Sequence, residues 1–317
     1  MLPTRDGVGP SQVSLPEGPW QRVVDFLVER FPAIPAPEWR DRMAAGDVVD
    51  GAGLPVAPEQ PFAPYGKLFY YRSVPHEPVN PAQAHILFED ELLVVADKPH
   101  FLPVTPSGNY LQETLLVRLR RQLGVDGLTP LHRIDRETAG VVLFAKQPAT
   151  CAAYHGMFAG GDVRKIYEAI APVDPGLVFP LTRASRLVSS DHFMQMREAD
   201  APDADTCGAG VPASNTRTDI ELIETCGMLA RYRLRPLTGK RHQLRVHMAA
   251  LGLPILGDRI YPVLLPLGGD EVGNPLRLLA QALQFTDPVT GEQRRFDSQQ
   301  TLRFPGGATE DQPLARL

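Results

Sequence analysis

A chain of 317 residues with 43% hydrophobic and 22% charged residues has the balance of a globular protein and enough apolar material for two domains or one large one. The formal net charge of −5 excludes a chain-wide attraction to polyanions, so a nucleic-acid partner would have to be met by a local basic surface. Cys151, Cys207 and Cys226 lack CxxC spacing, which excludes a disulfide framework or zinc ribbon and fits a reducing cytoplasm.

Residues 1–19 carry four prolines and three glycines without periodicity and are expected to be a flexible tail, as are residues 307–317. No stretch approaches 18 uninterrupted apolar residues, so no membrane span and a cytoplasmic location are expected. From Trp20 the pattern changes. Trp20, Val23, Val24, Leu27 and Phe31 fall at helical spacing, and Pro32 stops the run. PEWRDRMAAG (37–46) starts with a first-turn proline and ends in glycine, a short helix with Arg40 and Arg42 outward. Strand-like pieces follow at Val48-Val49 and over 67–72, with Asp50-Gly51 as a turn signal. A small α+β domain over 20–75 and a second domain over 80–306 are expected.

The second domain opens with HILFEDELLVVADKP (85–99), two apolar strands around the acidic turn Glu89-Asp90-Glu91. Leu111, Leu115, Leu116, Leu119 and Leu123 mark a helix closed by Gly124, with Arg118 and Arg121 outside. LHRIDRETAG (131–140) sets Arg133, Arg136, His132 and Asp135 around one turn, directly before the apolar run from Val141 to Ala145. VRKIYEAIA (163–171) alternates, with Lys165 and Tyr167 on one face and Ile166 and Ile170 on the other. Residues 197–217 are acidic, small and proline-bearing, an exposed insertion without an active role. In LARYRLRP (229–236) Arg231, Arg233 and Arg235 share one face, while Ala230, Tyr232 and Leu234 face the core. Leu244, Met248 and Leu251 then recur at helical spacing up to Gly252, and Arg241 and Arg245 share a face if that helix starts early. Positions 231, 233, 235, 240, 241, 245 and 259 are all Lys or Arg, against the one acid Asp258, which points to a polyanion site.

An ionised carboxylate at Asp135, favoured by its arginine neighbours, suits a nucleophile, a base or a stabiliser of a sugar-like cation. No metal site is expected: His242 and His247 are five apart, which separates them by about 140° on a helix and puts them on opposite faces of a strand. No GxxxxGK[ST] or GxGxxG loop is present, which argues against nucleotide-dependent chemistry. The residues alone thus indicate a basic cleft with a candidate catalytic aspartate and leave the reaction open.

LHRIDRETAG resembles the HRLDxxTSG motif of the RluA-type pseudouridine synthases, with Ile134 in place of leucine and Ala139 in place of serine. RKIYEA (164–169) is similar to their K-x-Y strand, and TGKRHQLRVHMAALGLPILGDRIYP (238–262) to their TGRxHQIRVHxxxxGxPIxGDxxY segment. ILFEDELLVVADKP is similar to the family's domain entry, with Asp97 where asparagine is usual. The helix, helix, small-sheet order of residues 20–72 resembles a small RNA-binding domain first seen in a ribosomal small-subunit protein, with Ala36-Pro37 and Asp50 where that family has serine-arginine and asparagine.

The resemblance implies an α/β (α+β) catalytic domain on a mixed, largely antiparallel sheet with the active cleft across its face. It implies cofactor-free isomerisation of specific uridines in structured ribosomal or transfer RNA: the N-glycosidic bond breaks, the uracil turns, and the sugar carbon is rejoined to C5. It assigns Asp135 to attack on the sugar carbon or removal of the neighbouring sugar proton, and Arg245 to pairing with Asp135. Tyr167 would stack on the extruded uracil and help remove the C5 proton, and Arg133 would enter the space the base leaves. Arg231, Arg233, Arg235 and Lys240 would hold the RNA backbone, with Arg136, Lys165, Arg241 and His242 completing the RNA contacts. RNA is the only partner expected, and a monomer is expected. A non-catalytic RNA-binding protein is the alternative; a glycoside hydrolase would want a second motif-matched carboxylate.

Overall fold

The computed structural model describes residues 2–74, 76–199, 214–266 and 273–306. Two compact units emerge, Met1–Val79 with Thr105–Asp126, and Asn80–Val104 with Gly127–Leu317. The chain changes unit near residue 80 as expected but also at 104/105 and 126/127, because the helical stretch 105–126 groups with the first unit. Cys207, most of the expected insertion and the expected C-terminal tail lie outside the described residues.

The first unit holds β1 (Ser11–Ser14), α1 (Val23–Arg30), α2 (Ala36–Ala44), β2 (Val48–Val49) and β3 (Lys67–Tyr70), with the sheet ordered β1-β3-β2. Residues 1–19 are thus not wholly a loose tail: Ser11 to Ser14 pair antiparallel with Tyr70 to Lys67, and Val13 and Leu15 enter the core. A strand of four residues among prolines is too short to show a period, which hid it. The apolar faces of α1 (Val23, Val24, Phe26, Leu27) and α2 (Trp39, Met43) close that core. The unit's remaining helix, α3 (Leu115–Leu123), starts four residues later than its leucine pattern. The amides of Leu111, Gln112 and Glu113 donate instead to the Glu77 carboxylate at 2.5–2.8 Å, and Gly124, left-handed at φ +67°, ends the helix as expected.

The second unit is built on a ten-stranded sheet. Its strands are β4 (His85–Glu89), β5 (Leu93–Lys98), β6 (Thr129–Pro130), β7 (Ala139–Ala145), β8 (Arg164–Pro172), β9 (Leu181–Ser185), β12 (Thr216–Cys226), β13 (Leu229–Pro236), β14 (Leu278–Thr286) and β15 (Gln293–Asp297). The main path runs β4-β5-β7-β14-β8-β13-β12-β9, with β15 on β14 and β6 on β7. Among the described residues every pairing in it is antiparallel except β7 with β14, so the sheet is mixed and largely antiparallel. A separate hairpin joins β10 (Leu187–Ser189) to β11 (Met196–Glu198). Two helices complete the unit, α4 (Cys151–Gly160) and α5 (Gln243–Ala250).

Sequence character explains the layering. β7 reads AGVVLFA and is buried at every position, as a strand covered on both sides requires. β13 alternates: Ala230, Tyr232 and Leu234 pack with Leu244 and Met248 of α5, while the arginines between them face away. Tyr154 and Met157 of α4 cover Val141, Leu143 and Ala145 of β7. No helix among the described residues is long and apolar enough to cross a membrane.

The single parallel contact carries the site. Gly140 of β7 lies opposite Ala280 of β14, and Ala280 opposite Tyr167 of β8. The backbones meet closely enough that a Cβ on Gly140, at φ +113°, would stand 2.2 Å from the Ala280 carbonyl oxygen. Only glycine fits, since both the conformation and the space exclude a side chain. Gly140→Ala is therefore expected to destabilise the second unit by more than about 3 kcal/mol, read as a lower midpoint in urea unfolding; an unchanged midpoint would show that the β7–β14 seam yields.

Candidate active site

Asp135 sits in the loop that carries the chain from β6 to β7, at the level of the sheet where Tyr167 lies two strands away. The Thr138 amide donates to the Asp135 carbonyl at 3.1 Å, closing the turn directly before β7. The Asp135 side chain is 26% exposed, so it is walled on most sides yet open to a substrate. Its Oδ2 lies 3.3 Å from Nη1 of Arg245, a residue of α5 only 1% exposed.

A buried guanidinium is costly unless its charge and its donors are met. Here Asp258 meets most of both: Nε and Nη2 of Arg245 donate to its two oxygens at 2.8 and 2.7 Å, a bidentate pair. Asp258 is held in turn by the Ile260 and Tyr261 amides, which donate to Oδ1 at 2.8 and 3.1 Å. Nη1 is left between Asp135 at 3.3 Å and Glu137 at 3.7 Å. Burial alone would lower the Arg245 pKa, but the hydrogen-bonded Asp258, with Asp135 and Glu137 beyond it, more than offsets this and holds it above the ordinary arginine value.

The loop around Asp135 is pinned from below. Lys98 is wholly buried, and its Nζ donates to the carbonyls of Leu102, Pro99 and Arg136 at 2.7, 3.0 and 3.0 Å. Burial pushes its pKa down to about 7, while the charges of Glu137 and Asp135 pull it back up. Three carbonyl acceptors use all three ammonium protons, so the geometry fits the charged form.

His242 stands at φ +55° directly before α5, with Nε2 3.9 Å from Asp135 Oδ2. Burial lowers its pKa, partly opposed by the Asp135 charge, so the ring is neutral near pH 7. The Tyr261 hydroxyl accepts from the Met196 amide at 2.7 Å and is hydrogen-bonded to His242 Nδ1 at 2.9 Å, which fixes the ring with Nε2 facing Asp135. Tyr167 faces the same cleft. Burial first, and the Asp135 charge second, raise its phenol above the ordinary value. At neutral pH it therefore offers a ring face and an O–H rather than a phenolate.

The expected RNA-contacting residues divide. Arg133 is exposed two residues from Asp135, and Lys240 and Arg241 are exposed just before α5. Arg136 lies 3.2 Å from Glu137 and over the Phe101 ring, and Lys165 donates to the Thr238 carbonyl at 3.1 Å on the Tyr167 side. Arg231, Arg233 and Arg235 share a face as expected, but it is the wrong one. Leu234 is the cross-strand partner of Tyr167, so the arginines between the core residues project from the opposite side of the sheet. There they meet carboxylates of the neighbouring strands: Arg231 reaches Glu168 at 3.2 Å and Glu224 at 2.8 Å, while Arg233 and Arg235 share Glu221 at 3.3 and 3.0 Å. The anion-attracting stripe is thus largely neutralised. Arg241 and Arg245 also part company, because α5 begins only at Gln243.

Two further motif residues are structural. Gln243 Nε2 donates to the Arg217 carbonyl and Thr218 Oγ1, and its Oε1 accepts from Thr238 Oγ1 and the Lys240 amide, which shapes the turn before α5. His247, fully buried, has Nδ1 2.9 Å from Thr218 Oγ1 and Nε2 3.0 Å from both Ser185 and Thr216 hydroxyls. Among the described residues no group of three His, Cys, Asp or Glu is placed to hold a metal ion. Asp258, Glu137, Lys98 and Tyr261 were not singled out as site residues from sequence; the signal for Asp258 and Tyr261 was their place in PILGDRIYP.

A family model described as RNA pseudouridylate synthase matches residues 92–250. An RNA pseudouridine synthase of Synechocystis is 31% identical over 243 residues, covering 75% of this chain and 79% of that protein. A tRNA pseudouridine synthase C of Vibrio cholerae is 33% identical, covering 65% of this chain and 86% of its own. In two longer relatives, from rice and human, the match spans 38% and 32% of their length. The solved structure of human RNA pseudouridylate synthase domain containing 4 superposes with a TM-score of 0.52 at 26% identity, covering 67% of this chain and 87% of that one.

Buried neutral histidines give the site's scaffold a pH signature. Burial depresses His247 to about 4 and, with the nearby Lys165 charge, His132 to about 3. Between those values and the ordinary 6.5 the unfolded chain binds more protons than the native one, so stability falls as pH falls through that window. Each group contributes up to about 1.4 kcal/mol of loss per pH unit. The thermal midpoint is expected to drop from pH 6.5 to pH 4.5, and less steeply in His247→Gln; an equal slope in both proteins would remove His247 from this account.

Proposed function

The chain belongs to the RNA pseudouridylate synthase family, and we propose that Asp135 is the group through which it isomerises uridine. The overall reaction breaks the N-glycosidic bond, turns the uracil and joins the sugar carbon to C5, from which a proton leaves. The observation that carries the proposal is the partly open Asp135 carboxylate held 3.3 Å from a buried, doubly anchored guanidinium. Such a carboxylate suits attack on the sugar carbon or removal of the neighbouring sugar proton. Arg245 is read as the positioning residue, since its other donors are committed to Asp258. Tyr167 is read as the wall against which the extruded uracil stacks; its raised phenol pKa favours that role over proton abstraction.

Uracil inside a helix is out of reach of such a carboxylate, so the base must be flipped, at a cost of a few kcal/mol drawn from phosphate contacts and stacking. Arg133, Lys240 and Arg241 are read as the phosphate-holding set. Transfer RNA is proposed as the substrate class, supported by the likeness to the Vibrio tRNA enzyme, and the first unit as a second RNA contact, supported by its helix, helix, sheet order. Action as a monomer is part of the same proposal, and the free Cys151 and Cys226 fit a reducing cytoplasm.

Asp135→Asn is expected to abolish release of tritium from C5-labelled uridine in RNA, by on the order of 10³-fold or more, while RNA binding stays within a few fold. Arg245→Lys, which cannot keep the bidentate hold on Asp258, should cost about 10²-fold in the same assay. Turnover close to normal in either would break the assignment. Arg233→Ala should change RNA affinity by less than about 2-fold, whereas Lys240→Ala should weaken it and reduce the log-log salt slope by about 1. The reverse ranking would return the arginine stripe to the RNA.

A further inference from the structure

The β10–β11 hairpin ends in an aromatic pair that no part of the site so far uses. Phe193 is 79% exposed, and His192 lies against it with ring centroids 5.4 Å apart and planes 20° from parallel. An exposed phenylalanine on a hairpin tip gives up its burial, and here it does so on a tip that is firmly tied down. Nη1 and Nη2 of Arg241 donate to the carbonyls of Phe193 and Met194 at 2.9 and 3.2 Å. Gln195 Nε2 donates to the Ile260 carbonyl at 2.8 Å. Met194 and Met196 pack with Leu187, Val246, Ile260 and Tyr261, and Arg183 of β9 pairs with Glu198 at the hairpin's base.

These ties lead into the catalytic cleft. The Met196 amide meets the Tyr261 hydroxyl at 2.7 Å, that hydroxyl meets His242 at 2.9 Å, and His242 stands 3.9 Å from Asp135. The hairpin's β11 strand is thus linked to the cleft through contacts of 3.9 Å or less, and its tip is held by Arg241, which directly precedes His242 and belongs to the proposed phosphate-holding set.

We propose that His192 and Phe193 form a stacking platform for an unpaired base of the RNA next to the extruded uridine, an inference that rests on the reading of the Asp135 cleft as the isomerisation centre. Pulling one nucleotide out of a strand leaves its neighbours unstacked. A fixed aromatic surface at the rim accepts the face of one of them, whatever its sequence, because every base presents a π-face. A single ring pair is too small to seat a protein surface, and Arg241, which holds the tip, follows the exposed Lys240 in the chain, a basic pair that matches a phosphate chain.

The test uses the full-length protein and bulk RNA labelled with C5-tritiated uridine, prepared from cells lacking the gene. Phe193→Ala should raise KM for tritium release about 10-fold, with kcat within about 2-fold, and Phe193→Trp should restore KM. In an Asp135→Asn background the indole introduced by Phe193→Trp should lose fluorescence on saturation with the same RNA, measured against the protein that has Trp20 and Trp39 alone. An unchanged KM in Phe193→Ala, or an indole whose emission ignores bound RNA, overturns the platform. If Asp135→Asn keeps turning over, the catalytic reading falls, while KM and quenching still decide the platform.

Discussion

One positive charge organises this molecule. The Arg245 guanidinium is almost entirely removed from water and is shared among Asp258, Asp135 and Glu137. Because Asp258 takes two of its nitrogens, the orientation of the third is set before any substrate arrives. Three stretches of chain are fixed relative to one another by that one group: α5, the turn at 257–261 and the loop at 133–138. Each is locked by its own devices, with Lys98 under the loop, Gln243 before the helix and the Ile260 and Tyr261 amides on Asp258. Preorganisation of this kind is what a carboxylate needs if it is to meet a sugar carbon at a defined angle.

Much of the fold was legible because several segments carry strong periods. The alternation in LARYRLRP, the unbroken apolar run of β7 and the leucine and methionine spacing of α5 all match what forms there. Other elements were hidden for physical reasons. β1 is four residues long and owes its existence to pairing with β3, a partner more than fifty positions away. The start of α3 is set by a carboxylate at Glu77, outside the helix altogether. Local pattern contains no trace of either.

The candidate site shows the same division. Asp135, Tyr167 and Arg245 were recognised through motif resemblance and lie around one cleft, whereas the surroundings that make them work depend on pairings no single sequence displays. The arginines of β13 make the point most clearly. Alternation establishes that Arg231, Arg233 and Arg235 share a side, but which side depends on the register with β8, where Leu234 meets Tyr167. Seven basic residues within a short stretch of chain turned out to be scattered in space: three face acids across the sheet, Arg245 is buried, Lys240 and Arg241 are exposed just before α5, and Arg259 donates to the Pro266 carbonyl. A cluster along the chain is not a cluster on the surface.

The position of β14 has a bearing on how the enzyme comes into being. It lies in the middle of the sheet, between β7 and β8, yet it is made after every residue of the cleft has already been synthesised. Until it inserts, the strand carrying Tyr167 and the loop carrying Asp135 have no common floor. A nascent chain that had emerged from the ribosome only as far as Pro262 would hold every residue of the cleft but lack the strand that joins β7 to β8, so the loop carrying Asp135 and the strand carrying Tyr167 would have no shared sheet between them.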